Sequence, residues 1–224
     1  LHLADFNADG RGDLVATLED RVTAYLQDAS GHFAHAPDAD RRFDVRTQQE
    51  KVEDVAEVAT LARDLNGDGF ADAVITKQVF KGLSSVRGVL SIFWGRAAGY
   101  GPDADQKIIS EGTASVGTVI SDVNGDGRLD LILPSLEINL KTIIRLLLTR
   151  NLPVSFNIFL LQEDGRYPER PNFTKEVKFK IDFSGDQDTQ TMDLEGDFNG
   201  DGRKDFAFAT DEDEIPLYLG VDDG

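Results

Sequence analysis

Four short apolar runs punctuate the chain, and each follows the same polar turn. Leu14-Val-Ala-Thr-Leu18, Ala73-Val-Ile-Thr76, Leu131-Ile-Leu133 and Phe206-Ala-Phe-Ala-Thr210 are rich in strand-forming residues and lie directly after Asp, Asn and Gly clusters. Such bounded apolar runs read as buried β-strands. The residues that lead into the turns also read as extended, as in Thr118-Val-Ile-Ser121 and Thr191-Met-Asp-Leu194. Each unit is therefore strand, loop, strand. The loops begin at Asp5, Asp64, Asp122 and Asp197, at intervals of 59, 58 and 75 residues. Recurrence at such a period means structural units stacked on one another. Between the second and third loops there is room for a complete unit, with strands expected at 73–76, 79–83, 88–94 and 106–110. After the fourth loop two strands are expected, at 206–210 and 215–219.

The long third interval contains the one stretch with a different period. From Ile138 to Arg150, apolar residues fall at Leu140, Ile143, Ile144, Leu147 and Leu148, with Lys141, Arg145 and Arg150 off that stripe. This is helical spacing. It predicts one amphipathic helix inserted between strands, ended by Asn151-Leu-Pro153 and followed by a strand over Val154–Gln162. Three charges and a short length exclude a membrane span. A helix of this kind packs its stripe on its own sheets, on a partner, or on a membrane surface; the first is the expectation here.

The repeated turn is Asp-x-Asn-x-Asp-Gly-x-x-Asp, with positions one, three, five, six and nine identical in all four copies. The candidate ligands are Asp5, Asn7, Asp9, Arg11 and Asp13; Asp64, Asn66, Asp68, Phe70 and Asp72; Asp122, Asn124, Asp126, Arg128 and Asp130; and Asp197, Asn199, Asp201, Arg203 and Asp205. Side chains at one, three and five of a tight loop converge on one point, and Gly at six permits the sharp turn. The seventh residue would contribute its backbone carbonyl, and the ninth Asp would close the site. An oxygen-only set suits a hard cation, Ca²⁺ first, so four Ca²⁺ sites are expected. Without a cation the twelve carboxylates would repel one another. The start of the motif matches an EF-hand, but an EF-hand needs Glu at position twelve and flanking helices. Position twelve here is Ala16, Ile75, Leu133 and Phe208, and the flanks read as strands.

On these loops and strands the chain resembles the FG-GAP or VCBS repeats of integrin-alpha-type β-propellers, of a bacterial type. The Phe-Gly element itself is degenerate, with Ile92-Phe-Trp-Gly95 and Leu217-Tyr-Leu-Gly220 as the nearest strand endings. The resemblance implies an all-β fold, a propeller of about four blades. Each blade would be a four-stranded antiparallel sheet with Ca²⁺ held between its first two strands. The repeats fall at roughly 1–55, 56–113, 114–188 and 189–224 of one propeller region. Four blades with a short lead-in are expected to be part of a larger propeller.

Composition narrows the function. The chain has 224 residues, a formal charge of −18 and no cysteine. Four Ca²⁺ would leave about −10, still acidic. That argues against nucleic acid, which needs a basic footprint, and against electrostatic docking on anionic lipid. Weak Ca²⁺ sites fill outside the cytosol, so an extracytoplasmic setting is expected, secreted, periplasmic or at the cell surface. Three features invite other readings. Arg11-Gly-Asp13 spells an adhesion tripeptide, but Asp13 is the ninth loop residue and faces inward. His2, His32 and His35 lack zinc-like spacing, and Phe93 and Trp94 read as packing between blades. No G-x-S-x-G, P-loop or G-x-G-x-x-G motif occurs. The expected function is a non-catalytic binding, adhesion or scaffold module for a protein or glycan partner, as a possible subunit of a larger surface assembly. The alternative is an accessory or catalytic module of an enzyme that cleaves polysaccharide or phosphodiester bonds.

Overall fold

The computed structural model describes residues 1–80, 86–111, 113–115, 117–137, 139–180, 194–207 and 215–220. The chain divides into two compact units, Leu1–Gly112 and Thr113–Gly224. In the first unit, β1 (His2–Ala4), β2 (Asp13–Leu18), β3 (Arg21–Tyr25) and β4 (Ala39–Arg42) form one antiparallel sheet in sequence order. After helix α1 (Gln48–Glu53), a second sheet follows as β5 (Ala56–Arg63), β6 (Asp72–Phe80), β7 (Val86–Phe93) and β8 (Gln106–Glu111). The second unit begins with β9 (Thr113–Ser115), β10 (Val119–Ser121) and β11 (Asp130–Glu137), then helix α2 (Leu140–Thr149). Strands β12 (Asn151–Phe159) and β13 (Phe173–Lys180) complete the third sheet, with β9 pairing on β11 beyond β10. A last sheet is described by β14 (Leu194–Gly196), β15 (Asp205–Ala207) and β16 (Leu217–Tyr218). Apart from β9, the strands of each sheet pair with their neighbours in sequence order, antiparallel throughout. The architecture is all-β and β-propeller-like.

Alternation along the strands builds the cores. In the first unit Val15, Val22 and Ala24 of one sheet meet Ala62, Ala73, Ile75 and Phe93 of the other, with Phe43 from the connection between them. The Phe43 ring lies 4.5 Å from Phe93 and 5.3 Å from Tyr100, centroid to centroid. In the second unit Ile132, Val154, Phe156, Val177 and Phe179 form one face of the third sheet, with Phe206 and Tyr218 of the last sheet packed on it.

Two expected strands, 73–76 and 79–83, are a single strand through Phe80. The polar pair Lys77-Gln78 looks like an interruption, but Lys77 is buried and compensated. Its Nζ donates to the Val45 carbonyl at 2.7 Å and to Glu50 at 2.9 Å. Residues 81–83 and 208–210 of the expected strands lie outside the described residues. Helix α1 was not expected, although its signature was present. Thr47 accepts from the Glu50 N–H and Glu50 accepts from the Thr47 N–H, a complete capping box.

Helix α2 is where it was expected, capped by Asn139, which accepts the Thr142 N–H at 2.9 Å. Arg150 in the left-handed region closes it with its N–H on the Leu146 carbonyl at 2.8 Å. Ile138 lies outside the described residues. Asn151–Pro153, expected to end the helix, are the first residues of β12, which runs to Phe159 and not to Gln162. The expected packing of the stripe does not occur. Leu140, Leu147 and Leu148 are 72%, 69% and 79% exposed, and Ile143 and Ile144 are exposed as well. The half-buried Thr142 and Leu146, one turn apart, are the inward face. The physical reason lies in the sheet. Its apolar face, with Val154, Phe156, Val177 and Phe179, already meets the last sheet. Beside α2 there is a polar cleft of about 150 Å³ lined by Glu137, Asn139, Lys141, Arg145, Ser155 and Glu176, among others.

Phe43→Ala should lower stability by about 3–5 kcal/mol, the usual cost of emptying a packed aromatic site. A urea-unfolding midpoint within error of wild type would contradict the packing role given to this ring.

Candidate functional site

In every sheet the repeated loop connects the first two strands, and it is built the same way each time. The first Asp wraps backwards around the turn. Its Oδ2 accepts the N–H of the sixth residue: Gly10 on Asp5 at 2.8 Å, Gly69 on Asp64 at 2.9 Å, Gly127 on Asp122 at 2.8 Å and Gly202 on Asp197 at 2.9 Å. The Asn at three accepts the N–H of the fifth residue and donates its amide to that residue's carboxylate. Asn7, Asn66, Asn124 and Asn199 all do so, the amide lying 2.8–3.0 Å from Asp9, Asp68, Asp126 and Asp201. The fifth Asp in turn accepts the N–H of the seventh residue, which is Arg11, Phe70, Arg128 or Arg203, at 2.9–3.0 Å. The turn requires two left-handed residues. One is the sixth, with φ of 81°, 89°, 84° and 85°; the other is the fourth, Gly67, Gly125 and Gly200 at 76–78° and Ala8 at 62°. Glycine suits both. The Gly at four was visible in three copies and carries as much geometry as the Gly at six.

The ninth Asp does something the spacing did not suggest. Asp13, Asp72, Asp130 and Asp205 are completely buried. One oxygen of each accepts the N–H of the second loop residue: Phe6, Leu65 and Val123 at 2.9 Å, Phe198 at 2.8 Å. The other accepts an N–H from just beyond the third strand: Gln27 at 2.8 Å, Gly95 at 2.7 Å, Leu161 at 2.9 Å and Gly220 at 2.8 Å. A single carboxylate thereby ties the loop to the third strand in each sheet. At Gly95 there is no room for more, since a Cβ would stand 2.5 Å from the Ala71 carbonyl oxygen. This accounts for Gly in the Phe-Trp-Gly strand ending.

Other side chains brace the same corner. Arg11 and Arg128 pair with Asp9 and Asp126, and their Nε atoms donate to the Gln27 carbonyl at 2.7 Å and the Leu161 carbonyl at 3.1 Å. Arg203 lies 3.8 Å from Asp201. The seventh residue thus acts visibly through its guanidinium in three loops, while Phe70 forms an isolated backbone bridge with Asn7. Tyr100 and Tyr167 donate their hydroxyls to the carbonyls of the eighth residues, Ala71 at 2.9 Å and Leu129 at 2.6 Å. Neither tyrosine was legible as part of a loop, because each lies far along the chain from the carbonyl it meets.

Electrostatics at this corner are strained. Burial pushes the Asp72 carboxyl up to about 7; the Gly95 and Leu65 N–H groups oppose the shift, while Asp68 and Asp64 add to it. Burial likewise raises Asp130 to about 6, against the N–H groups of Leu161 and Val123 and with Asp126 and Asp122 adding to the rise. Among the described residues no three Asp, Glu or His side chains are gathered into a metal-ligating group. The loop carboxylates are turned to the loop's own N–H groups. Their chemistry still fits an oxygen-seeking cation, because a carboxylate oxygen that accepts one N–H keeps a further lone pair. The adhesion tripeptide is closed off on its acidic side, since Asp13 is buried. His32 sits in an exposed turn, its Nδ1 2.9 Å from Ser30 Oγ.

Four antiparallel sheets, each with one and the same acidic loop between its first two strands, define a repeat protein with a β-propeller-like fold. The model of the FG-GAP-like repeat matches residues 64–133, from the first Asp of the second loop into β11. Over that stretch the chain is similar to an FG-GAP-like repeat. No curated protein sequence matches the chain.

Asp72→Ala should cost about 2–4 kcal/mol, because it leaves the buried N–H groups of Leu65 and Gly95 without an acceptor. Asp103→Ala, at an exposed loop position, should cost less than about 0.5 kcal/mol. Equal losses in urea unfolding would remove the special status of the ninth position. A pH series gives an independent check. Asp72 and Asp130 have folded pKa values above those of the unfolded chain, so the native state holds protons that the unfolded state has released. Their contribution is fully present below about pH 4 and is lost as pH rises to about 7. Without divalent ions, the urea midpoint should therefore fall between pH 5 and pH 7.5; a rising midpoint would contradict the desolvation argument.

Proposed function

We propose that this chain is an FG-GAP repeat protein and a calcium-stabilised module that works outside the cytoplasm, where it presents its loops to a protein or glycan partner. The observation that carries the reading is the fourfold loop in which a buried ninth Asp stands beside the carboxylates of positions one and five. That arrangement collects negative charge where burial already opposes it, and a divalent cation is the simplest relief. The oxygen donors, the acidic composition and the repeat family all support Ca²⁺ over softer metals. Binding of Ca²⁺ to the native state alone would make stability depend on its concentration. Loops filled at millimolar Ca²⁺ would then be ordered outside the cell and loosened inside it.

In calcium the melting temperature should stand well above that in EGTA, and the fall in urea midpoint from pH 5 to 7.5 should shrink or reverse. A bound cation holds Asp72 and Asp130 ionised and removes the proton linkage. A melting temperature indifferent to both EGTA and Ca²⁺ would sink the calcium reading. The enzyme alternative makes a different forecast: turnover of an acidic polysaccharide or a phosphodiester by the purified protein, abolished by a single substitution that leaves its melting curve unchanged.

A further inference from the structure

We infer that neighbouring loops form coupled pairs: the fourth residue of one loop seats against the sixth residue of the next, so that a cation ordering one loop raises the affinity of the loop beside it. This coupling takes its ligand from the calcium reading above and its mechanism from contacts that hold without metal. In the first unit the contact is Ala8 against Gly69. A Cβ built on Gly69 would stand 2.9 Å from the Ala8 Cβ and 3.4 Å from the Ala8 Cα. In the second unit it is Gly125 against Gly202, where a Cβ on Gly125 would stand 3.0 Å from the Gly202 carbonyl oxygen. The same two positions meet in both pairs. The left-handed backbone does not by itself require such closeness. Gly10 and Gly200, which also occupy positions six and four with positive φ, would point a Cβ into open space among the described residues.

Two further links join the first pair. Asn7 and Phe70, the third residue of one loop and the seventh of the next, form a backbone bridge. Both are candidate ligand positions, so the geometry of one site is tied to that of the other. Phe6 lies edge-on to Tyr100 at 6.0 Å, and Tyr100 donates to the carbonyl of Ala71, the eighth residue of the second loop. Ordering of Asn7 in one loop therefore fixes the Phe70 backbone in the next. The second loop then binds with less ordering left to do, which is positive coupling. Charge acts the other way, since filling one loop weakens the field that draws a cation to its neighbour. Salt suppresses that term and spares the contact.

The test compares variants matched for backbone strain. Gly10→Ala and Gly69→Ala add the same methyl at φ of 81° and 89°, but only the second meets a neighbour. In EGTA, Gly69→Ala should lower the urea midpoint about twice as far as Gly10→Ala or more, and Ala8→Gly should recover most of the difference. Gly125→Ala against Gly200→Ala, at 76° and 78°, repeats the comparison in the second unit should Gly69→Ala not fold. Equal losses within both matched pairs, or additive effects of Ala8→Gly and Gly69→Ala, would overturn the inference. The cation arm uses terbium luminescence sensitised by Trp94, the chain's one tryptophan. It precedes Gly95, whose N–H donates to Asp72 of the second loop. In ~1 M KCl, where the Debye length is ~3 Å, Asp5→Asn/Asp9→Asn in the first loop should raise the half-saturating terbium concentration of the second roughly fivefold or more. Wild-type protein that binds neither terbium nor Ca²⁺ defeats the calcium reading and the coupling with it, whereas binding that is unchanged or tighter in the first-loop variant defeats the coupling alone.

Discussion

A buried carboxylate with two backbone N–H groups on it holds each of the four sheets together at one corner. Asp13, Asp72, Asp130 and Asp205 each join the entry of a loop to the second residue beyond the third strand, so one side chain sets the loop, the first hairpin and the third strand at once. Charge-assisted hydrogen bonds of this kind contribute about 1.5–3 kcal/mol each. Desolvating an ionised carboxylate costs several kcal/mol. The two terms are close in size, so the neighbours decide the sign. At Asp72 they decide against ionisation: two N–H groups do not offset burial with Asp64 and Asp68 nearby. The corner that organises the fold is therefore also its point of electrostatic tension, and calcium binding is proposed for the place where this tension is greatest.

The remaining features of the loop answer to the same corner. An Arg at position seven, where present, neutralises the fifth carboxylate and reaches the third-strand carbonyl in two loops. Where Phe70 replaces it, Tyr100 from the following connection still ties down the eighth carbonyl, and Gly95 lets the third strand approach within contact distance of Ala71. Different residues thus hold the same geometry, which is why the loop is regular while its surroundings vary.

Much of this was legible in the sequence, for a physical reason. A turn with two left-handed residues and three fixed polar positions tolerates few alternatives, so the loop and the strand after it could be placed from residue types alone. The role of the ninth Asp could not be read, because its partners Gln27, Gly95, Leu161 and Gly220 offer only backbone N–H groups, and any residue but proline has one. Lys77 is compensated within β6 by Glu50 and the Val45 carbonyl, partners that no pattern along the strand announces. Helix α1 buries no residue, so it left no apolar period, only a capping box.

Helix α2 shows the other limit. Its period announced a helix, and the caps at Asn139 and Arg150 confirm the extent. Which surface would cover its stripe depended on the two faces of the third sheet, and those are set by strands far away in sequence. Val154, Phe156, Val177 and Phe179 project to one side and meet Phe206 and Tyr218. The alternate residues Pro153, Ser155, Glu176 and Lys178 present a face too polar to receive five large apolar side chains. Burying each of those would contribute roughly 1.5–3 kcal/mol, a driving force left unused within the chain. Net charge gives equally little guidance, since −18 is a sum over the whole molecule. Any contact forms over a patch about a Debye length across, so the charges immediately around it matter and the total does not.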